Sequence, residues 1–155
     1  RVTNKRFVQV DGVSTLAFET TFEWMEQFSD KSTILVAWAH GASDALSYHQ
    51  QTKGVRTLPS PRHILLDTTS YTVDLSNDTK LSCVAMTSTT LSITLEYKGL
   101  GWVGFGPTPQ GMIHSRVVIG SQTTGPNTPL YVPPTGPIAP VPLQNVSGVV
   151  LHDNP

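Results

Sequence analysis

Cysteine is nearly absent from this 155-residue chain, in which Cys83 is the single example. One cysteine excludes an internal disulfide, a zinc cluster, an iron–sulfur site and the Cys-x-x-Cys-His attachment of a covalent haem. Within the run LSCVAMT, Cys83 is predicted to pack as a small buried apolar group.

Charge is scarce as well, because only 14% of the residues are charged and the formal net charge is -1. Such a chain has no basic field to hold a nucleic-acid backbone or an anionic membrane, so neither partner is expected. No run approaches the roughly 18 apolar residues of a membrane helix, so no membrane span is expected. The first residues, RVTNKRF, contain neither an initiator methionine nor a signal peptide, which predicts an excised or processed piece.

The sequence also lacks the signatures of common enzymes, since it has no G-x-S-x-G elbow and no H-E-x-x-H. The acids Glu19, Glu23 and Glu26 are interpreted as a solvated face rather than a catalytic pair. His40 and His49 are nine residues apart on different predicted elements, and nothing supports a copper site there. The chain is therefore expected not to be an enzyme.

An extracellular location is predicted from composition and from two sequons. Low charge with abundant Thr, Ser, Pro and Gly is typical of secreted β-proteins. Asn77 and Asn145 each begin an Asn-x-Ser/Thr tripeptide, the acceptor motif for N-glycosylation.

Alternation of apolar and polar residues dominates the chain. In LSITLEYK, four apolar residues from Leu91 to Tyr97 share one face, which predicts a half-buried strand. Further runs rich in β-branched and aromatic residues are TLAFETTF, TILVAWA, YTVDLS, LSCVAMT, GWVGFG and RVVIG. Only EWMEQFSD suggests a helical turn. The pattern predicts an all-β, immunoglobulin-like antiparallel β-sandwich.

Proline marks two interruptions. Residues 121–142 contain seven of the twelve prolines and are predicted to form an extended edge or a long loop, because proline cannot donate to a sheet ladder. In LPSPRH, residues 58–63, prolines on both sides of Ser60 favour an extended linker.

Two groups of motifs resemble the DOMON domain, a sandwich module that carries a b-type haem in its haem-binding members. GWVGFG, followed by Met112 and RVVIG, resembles the first half of that domain. TLAFETTF, ILVAWAHG and ALSYHQQTKG resemble the second half. The resemblance covers most of the chain but in permuted order: 1–58 corresponds to the second half, 59–66 to a linker and 67–155 to the first half.

Three arrangements give such a permutation. The chain is one period of a tandem array, or protomers exchange halves head to tail into a filament, or the chain is a monomeric circular permutant. An array or filament is expected, with neighbouring copies of the chain as partners.

The resemblance also implies a ligand set and a function. Met112 and His49 would bind the iron of haem b from opposite faces, which makes a six-coordinate centre for electron transfer with a redox partner protein. Glycines 101, 104 and 106 would let the sheet approach the macrocycle. Residues expected to line the haem or meet its propionates are Trp102, Phe105, Tyr48, Trp38, Arg56 and Arg116. His114 is a rival ligand; it and Arg116 stand where the family tends to have a small residue and an acid.

Other interpretations remain open at this point. From pattern alone, a lone Met after an apolar strand is usually core filler and a lone His in a polar loop is usually solvated. A purely structural, glycosylated repeat of an extracellular fibre without a cofactor is one alternative. A carbohydrate-binding module is another, in which Trp24, Trp38 and Trp102 would stack on sugars, although burial in the core is the commoner role of tryptophan.

Overall fold

A computed structural model describes residues 2–28, 32–41, 53–64, 70–109, 116–121, 125–131 and 141–142. In chain order the elements are β1 (Thr3–Val10), β2 (Val13–Thr21), α1 (Phe22–Met25), β3 (Thr33–His40), β4 (Lys53–Pro59), α2 (Pro61–Ile64), β5 (Ser70–Asp74), β6 (Thr79–Ala85), β7 (Thr90–Tyr97), β8 (Val103–Pro107), β9 (Arg116–Ser121), β10 (Gly125–Tyr131) and β11 (Val141–Pro142).

Two antiparallel sheets contain all of these strands. The five-stranded sheet has the order β1-β2-β7-β6-β5, and the six-stranded sheet has the order β11-β10-β9-β8-β3-β4. The prediction of an all-β sandwich is confirmed, and each of the seven predicted strand runs contains a strand. The helical turn is found at α1. Strands β1 and β4 were not predicted, and the proline-rich segment contributes β10 and β11 at one edge of the larger sheet.

The core lies between the sheets and follows the period-two pattern. Leu91, Ile93 and Leu95 on β7 are fully buried, and the register places Leu95 between Leu16 on β2 and Leu81 on β6. Phe105 on β8 faces them from the other sheet and is also fully buried. Burying one such side chain contributes about 1.5–3 kcal/mol, so this layer is the main stabilising element of the sandwich.

The two ends of the sandwich differ. One end, here the hairpin end, carries the β1–β2 turn at Asp11 and Gly12, the β5–β6 turn and the β7–β8 turn. Asp11 and Gly12 have φ values of 52° and 79°, as a two-residue hairpin turn of the primed type requires. The opposite end, here the helix end, carries α1 and α2.

Residues 59–66 were predicted to be a linker and include α2. The start of this segment is bonded to Glu26, directly after α1. Glu26, directly after α1, accepts hydrogen bonds from the hydroxyl of Ser60 and from Nε of Arg62, the latter at 3.1 Å. The Arg62 guanidinium lies 5.1 Å from the centre of the Phe22 ring. The interpretation of Glu26 as part of a solvated face was wrong, because it is hydrogen-bonded to Ser60 and Arg62. These two residues lie 34 and 36 residues further along the chain, so local pattern does not reveal the contact.

Strands from residues 1–58 and from residues 67–155 share both sheets. β2 pairs with β7 over eight residue pairs, and β3 pairs with β8 over five. Sandwich formation therefore needs both predicted halves, and in this structure a single chain supplies them. Among the described residues, no helix is long and apolar enough to cross a membrane.

Candidate functional site

The predicted site residues divide between described and undescribed parts of the chain. Trp102, Phe105, Arg56 and the first sequon residue Asn77 are described. The others, namely Met112, His49, Tyr48, the rival ligand His114 and the second sequon residue Asn145, lie outside the described residues.

The outer face of the six-stranded sheet is apolar and buried. Four of its positions, Ala37 and Ala39 on β3 and Gly104 and Gly106 on β8, have a methyl group or no side chain at all. Ala37 is 0% exposed and Ala39 is 4% exposed. Beside them pack Trp102, Val117 and Ile119, which form a second hydrophobic cluster with Ala39. These seven residues are called the outer platform below.

The outer face of the five-stranded sheet shows the usual solvated pattern instead. Thr72, Ser82 and Thr94 form a cross-strand row there, and the hydroxyl oxygens of Thr72 and Ser82 are 3.3 Å apart. An antiparallel sheet commonly has one face in the core and one in water. The larger sheet departs from this, since β3, β8 and β9 are buried on both faces. The platform is apolar, and its alanine and glycine positions carry no bulky side chain, so it is a candidate seat for a flat apolar ligand.

Close contacts bound the platform at both ends. At the hairpin end, the Trp102 indole lies so close over Gly41 that a Cβ there would overlap it, and the Gly41 N–H donates to the Trp102 carbonyl at 2.9 Å. At the helix end, a Cβ on Gly106 would overlap the carbonyl oxygen of Arg116. At Gly104, a Cβ would lie 3.0 Å from the Ile119 side chain. The glycines therefore permit close packing by the neighbouring strand and by Trp102.

The two segments that contain the predicted ligands follow strands that end at opposite ends of the platform. β3 ends with His40 at the hairpin end, where Gly41 follows it, before the segment that contains His49. β8 runs antiparallel to β3 and ends with Pro107 at the helix end, before the segment that contains Met112. Val103 and Pro107 mark these two ends, and four residues of strand span about 13 Å.

Phe105 and Arg56 do not lie on the outer platform. Phe105 points into the core between the sheets, on the face of β8 opposite to Gly104. Arg56 is an exposed residue on the edge strand β4, and its guanidinium donates to the backbone carbonyl of Asp74 on β5. Arg56 thus bridges the two sheets at their edge. Arg116 is half-buried at the helix end of β9, beside Gly106.

The three tryptophans are buried, as expected for core residues. Trp24, Trp38 and Trp102 are 4%, 8% and 2% exposed, so none presents an open ring for stacking on a sugar. Trp24 packs edge-on against Phe18, and Trp38 packs on Gly54, where a Cβ would come within 2.6 Å of its ring.

His40 is a chemically notable residue at the hairpin end to which the sequence assigned no role. Its ring stacks on Tyr97 of the other sheet, with centroids 3.8 Å apart and an interplanar angle of 16°, and on Trp38 at 6.2 Å. Nε2 lies 3.7 Å from Oδ1 of Asp78 in the β5–β6 turn. Alternation along β3 placed His40 on the same face as Trp38, but Asp78 and Tyr97 come from the opposite sheet, which no local signal indicates.

The surroundings of His40, Asp78 and Tyr97 shift the pKa of each residue. Burial lowers the pKa of His40, and the Asp78 charge only partly offsets that effect. The hydrogen bond from Ser76 holds the pKa of Asp78 below its ordinary value. Burial raises the pKa of Tyr97. A neutral His40 stacked on a neutral phenol, beside a carboxylate, is the favoured state near neutral pH.

Cys83 is buried on β6, as predicted. Burial raises the pKa of its thiol to about 11. A thiol with a raised pKa has little of the thiolate that reacts or binds metals. Among the described residues, no group of three or more His, Cys, Asp or Glu side chains is arranged to hold a metal ion.

Comparisons with protein-family models, with curated proteins and with solved structures found no match to this chain.

Proposed function

We propose that this chain is a DOMON-like electron-transfer module that holds a b-type haem on the outer platform, with Met112 and His49 as the residues that would bind its iron. The observation that supports this best is the composition of the platform itself: a sheet face of alanine and glycine beside apolar side chains, with an indole at one end. A flat macrocycle needs such a surface, because larger side chains would hold its edge away from the sheet.

The polarity of the strands supports the same proposal. The segments containing His49 and Met112 are attached at opposite ends of the platform, about 13 Å apart along the strands. Met112 and His49, one from each segment, are the residues that would hold the haem iron. A haem with thioether and imidazole ligands has no open position, so it transfers single electrons and does not activate oxygen.

The chain's own residues would supply a dry, shaped seat. Trp102 closes the hairpin end, and Ala39, Val117 and Ile119 keep the face apolar. Arg116, beside Gly106 at the helix end of the platform, is better placed than Arg56 to meet a propionate, since Arg56 lies on the edge strand β4. Phe105 would act indirectly, by filling the core behind the platform.

A haem titration followed by absorption spectroscopy tests the proposal. The protein should bind one equivalent of haem as a six-coordinate, low-spin complex. Met112→Leu and His49→Ala should each convert that complex to a weaker, five-coordinate one, and Met112→Leu should lower the reduction potential. Met86→Leu, which changes an exposed methionine in the β6–β7 turn, and His63→Ala serve as matched controls and should leave the spectrum unchanged. Absence of a haem spectrum in the folded wild type would refute the proposal.

A second pair of variants tests the location. Ala39→Leu places a larger side chain on the platform and should reduce haem affinity more than tenfold. Ala17→Leu makes the same change on the outer face of the five-stranded sheet and should leave affinity unchanged. Circular dichroism of both apoproteins separates lost binding from lost folding. Equal affinity in the two folded variants would place the haem elsewhere.

A cofactor-free structural module is the second candidate, favoured by the platform glycines. Gly104 and Gly106 are explained by contacts with Ile119 and Arg116, without any ligand. Such a module would serve as a glycosylated, extracellular repeat that associates head to tail with neighbouring copies. Light scattering distinguishes the arrangements: concentration-dependent growth supports a filament, whereas a monodisperse monomer supports a tandem unit or a circular permutant.

A further inference from the structure

The β5–β6 turn presents Asn77 to solvent while its neighbours face inward. Asn77 is exposed, and none of the described hydrogen bonds involves its side-chain amide. Asp78 and Thr79 on its C-terminal side are half-buried and buried, and Thr79 is only 3% exposed. The backbone is fixed by bonds from the amides of Leu75 and Ser76 to the carbonyl of Thr79, at 2.8 and 3.2 Å.

The hydroxyl of Thr79, which completes the sequon, is hydrogen-bonded within the fold. Thr79 Oγ1 donates to Oδ1 of Asp78 at 3.2 Å, and the same oxygen accepts from Ser76 Oγ at 2.7 Å and lies 3.7 Å from His40 Nε2. A transferase reads the sequon through this hydroxyl as well as through the amide. In the folded sandwich the amide of Asn77 is accessible and the hydroxyl of Thr79 is not.

An exposed apolar tip lies at the same end of the sandwich. The amide of Lys98 donates to the carbonyl of Asp78 at 2.9 Å, which places the β7–β8 turn beside the Asn77 turn. Leu100 in that turn is 56% exposed. Ser14 Oγ donates to the Gly99 carbonyl at 2.7 Å and so ties the turn to the β1–β2 hairpin, where Val10 is 61% exposed. These are the two most exposed large apolar side chains among the described residues.

We infer that Asn77 carries an N-linked oligosaccharide, added before the sandwich folds, which covers the apolar tip formed by Leu100 and Val10. The reaction joins the Asn77 side-chain nitrogen to the anomeric carbon of the first sugar. It breaks the bond from that carbon to the pyrophosphate of a lipid-linked oligosaccharide, and the amide proton leaves with the released lipid pyrophosphate. The proposal does not depend on haem binding.

Secretion from a eukaryotic cell tests the modification. The secreted protein should lose one glycan in mass on Asn77→Gln and on Thr79→Ala, while Thr72→Ala, which removes an exposed threonine hydroxyl from the same hairpin, should change nothing beyond its own mass. Asn145→Gln reports the other sequon separately. An Asn77→Gln protein with the same glycan mass as the wild type would overturn the assignment.

The order of events is tested with purified transferase and lipid-linked oligosaccharide. A synthetic peptide spanning residues 71–85 should be modified, and the folded, unglycosylated protein should be modified at least tenfold more slowly because the Thr79 hydroxyl is buried. Equal rates would overturn the claim that modification precedes folding.

The shielding role is tested by enzymatic removal of the glycan from the folded protein. Removal should increase binding of an apolar dye and lower solubility, and Leu100→Ser with Val10→Ser should reverse both changes in the deglycosylated protein. Unchanged dye binding after complete removal would overturn the shielding role while leaving the modification site standing.

Discussion

Gly106→Ala is expected to destabilise the sandwich far more than Gly104→Ala, although both glycines lie on β8 and face the outer platform. At Gly106 the added Cβ would overlap the backbone carbonyl of Arg116, which cannot rotate away without moving β9. At Gly104 the nearest atom, 3.0 Å away, is Cγ1 of the Ile119 side chain, which has to shift by only a few tenths of an ångström to make room. The two substitutions have the same chemistry and differ only in what lies above the strand.

The expected magnitudes follow from packing. Inserting a carbon into a packed region costs about 1–3 kcal/mol, and a backbone obstacle puts Gly106→Ala at the upper end. Reduced freedom of the unfolded chain returns about 0.4–1 kcal/mol when glycine becomes alanine. The net loss at Gly106 is therefore about 2 kcal/mol, which lowers Tm by roughly 4–8 °C in a domain of this size. Gly104→Ala should stay within about 0.5 kcal/mol of the wild type, because the two terms nearly cancel.

Urea unfolding followed by tryptophan fluorescence measures both variants. Unchanged m-values would show that the difference lies in stability rather than in the compactness of the unfolded state. If both variants unfold at the same urea concentration, the backbone of Arg116 does not cross the face of Gly106, and the helix-end boundary of the platform is wrong.

Three further predictions concern side chains within the fold. Burial lowers the pKa of His40 in the folded protein, so as pH falls the unfolded chain takes up a proton first, near the ordinary pKa of 6.5. The contribution of neutral His40 to folding stability is therefore fully present above pH 6.5 and declines as pH falls below it. His40→Phe keeps a stacked ring and should remove most of the difference in urea midpoint between pH 7.5 and 5.5, and an unchanged difference would point to other groups. Glu26→Ala leaves the buried hydroxyl of Ser60 without that acceptor and should lower the free energy of unfolding by about 1–3 kcal/mol, measured by chemical denaturation. Glu23→Ala, which changes an exposed residue of α1, should lower it little. Equal losses would argue against the contact between Glu26 and Ser60. Cys83 should react with a chromogenic thiol reagent at pH 8 only as fast as the protein unfolds, because burial raises its pKa to about 11, and rapid labelling of the native protein would contradict that burial.

The platform shows how far local pattern reaches. Trp38 and Phe105 were expected to line the haem beside the glycines, but in the structure they lie on the core face of β3 and β8, and the alanines and glycines lie on the other face. Alternation alone does not say whether the second face is wet. On that face Ala39 packs with Trp102, Val117 and Ile119, which lie more than 60 residues further along the chain.

Proline and charge were harder to interpret locally. The prolines around Ser60 suggested an extended linker, yet proline also suits the first position of a helix, and Pro61 begins α2. In the sequence Glu26 resembles its exposed neighbour Glu23. Only the fold brings Ser60 and Arg62 within hydrogen-bonding distance of Glu26. Strand β1 was missed because a bulge between Thr3 and Arg6 interrupts the alternation at its start.

The sequence by itself determined the class of fold, the positions of seven strands and, in β7, which side chains point inward, because side-chain alternation is a property of consecutive residues. The tertiary structure alone decided the pairing of the two halves, the burial of the outer platform, the contact of Glu26 with Ser60 and the stacking of His40 on Tyr97. Each of these depends on residues that are distant in the chain and meet only when the two sheets assemble.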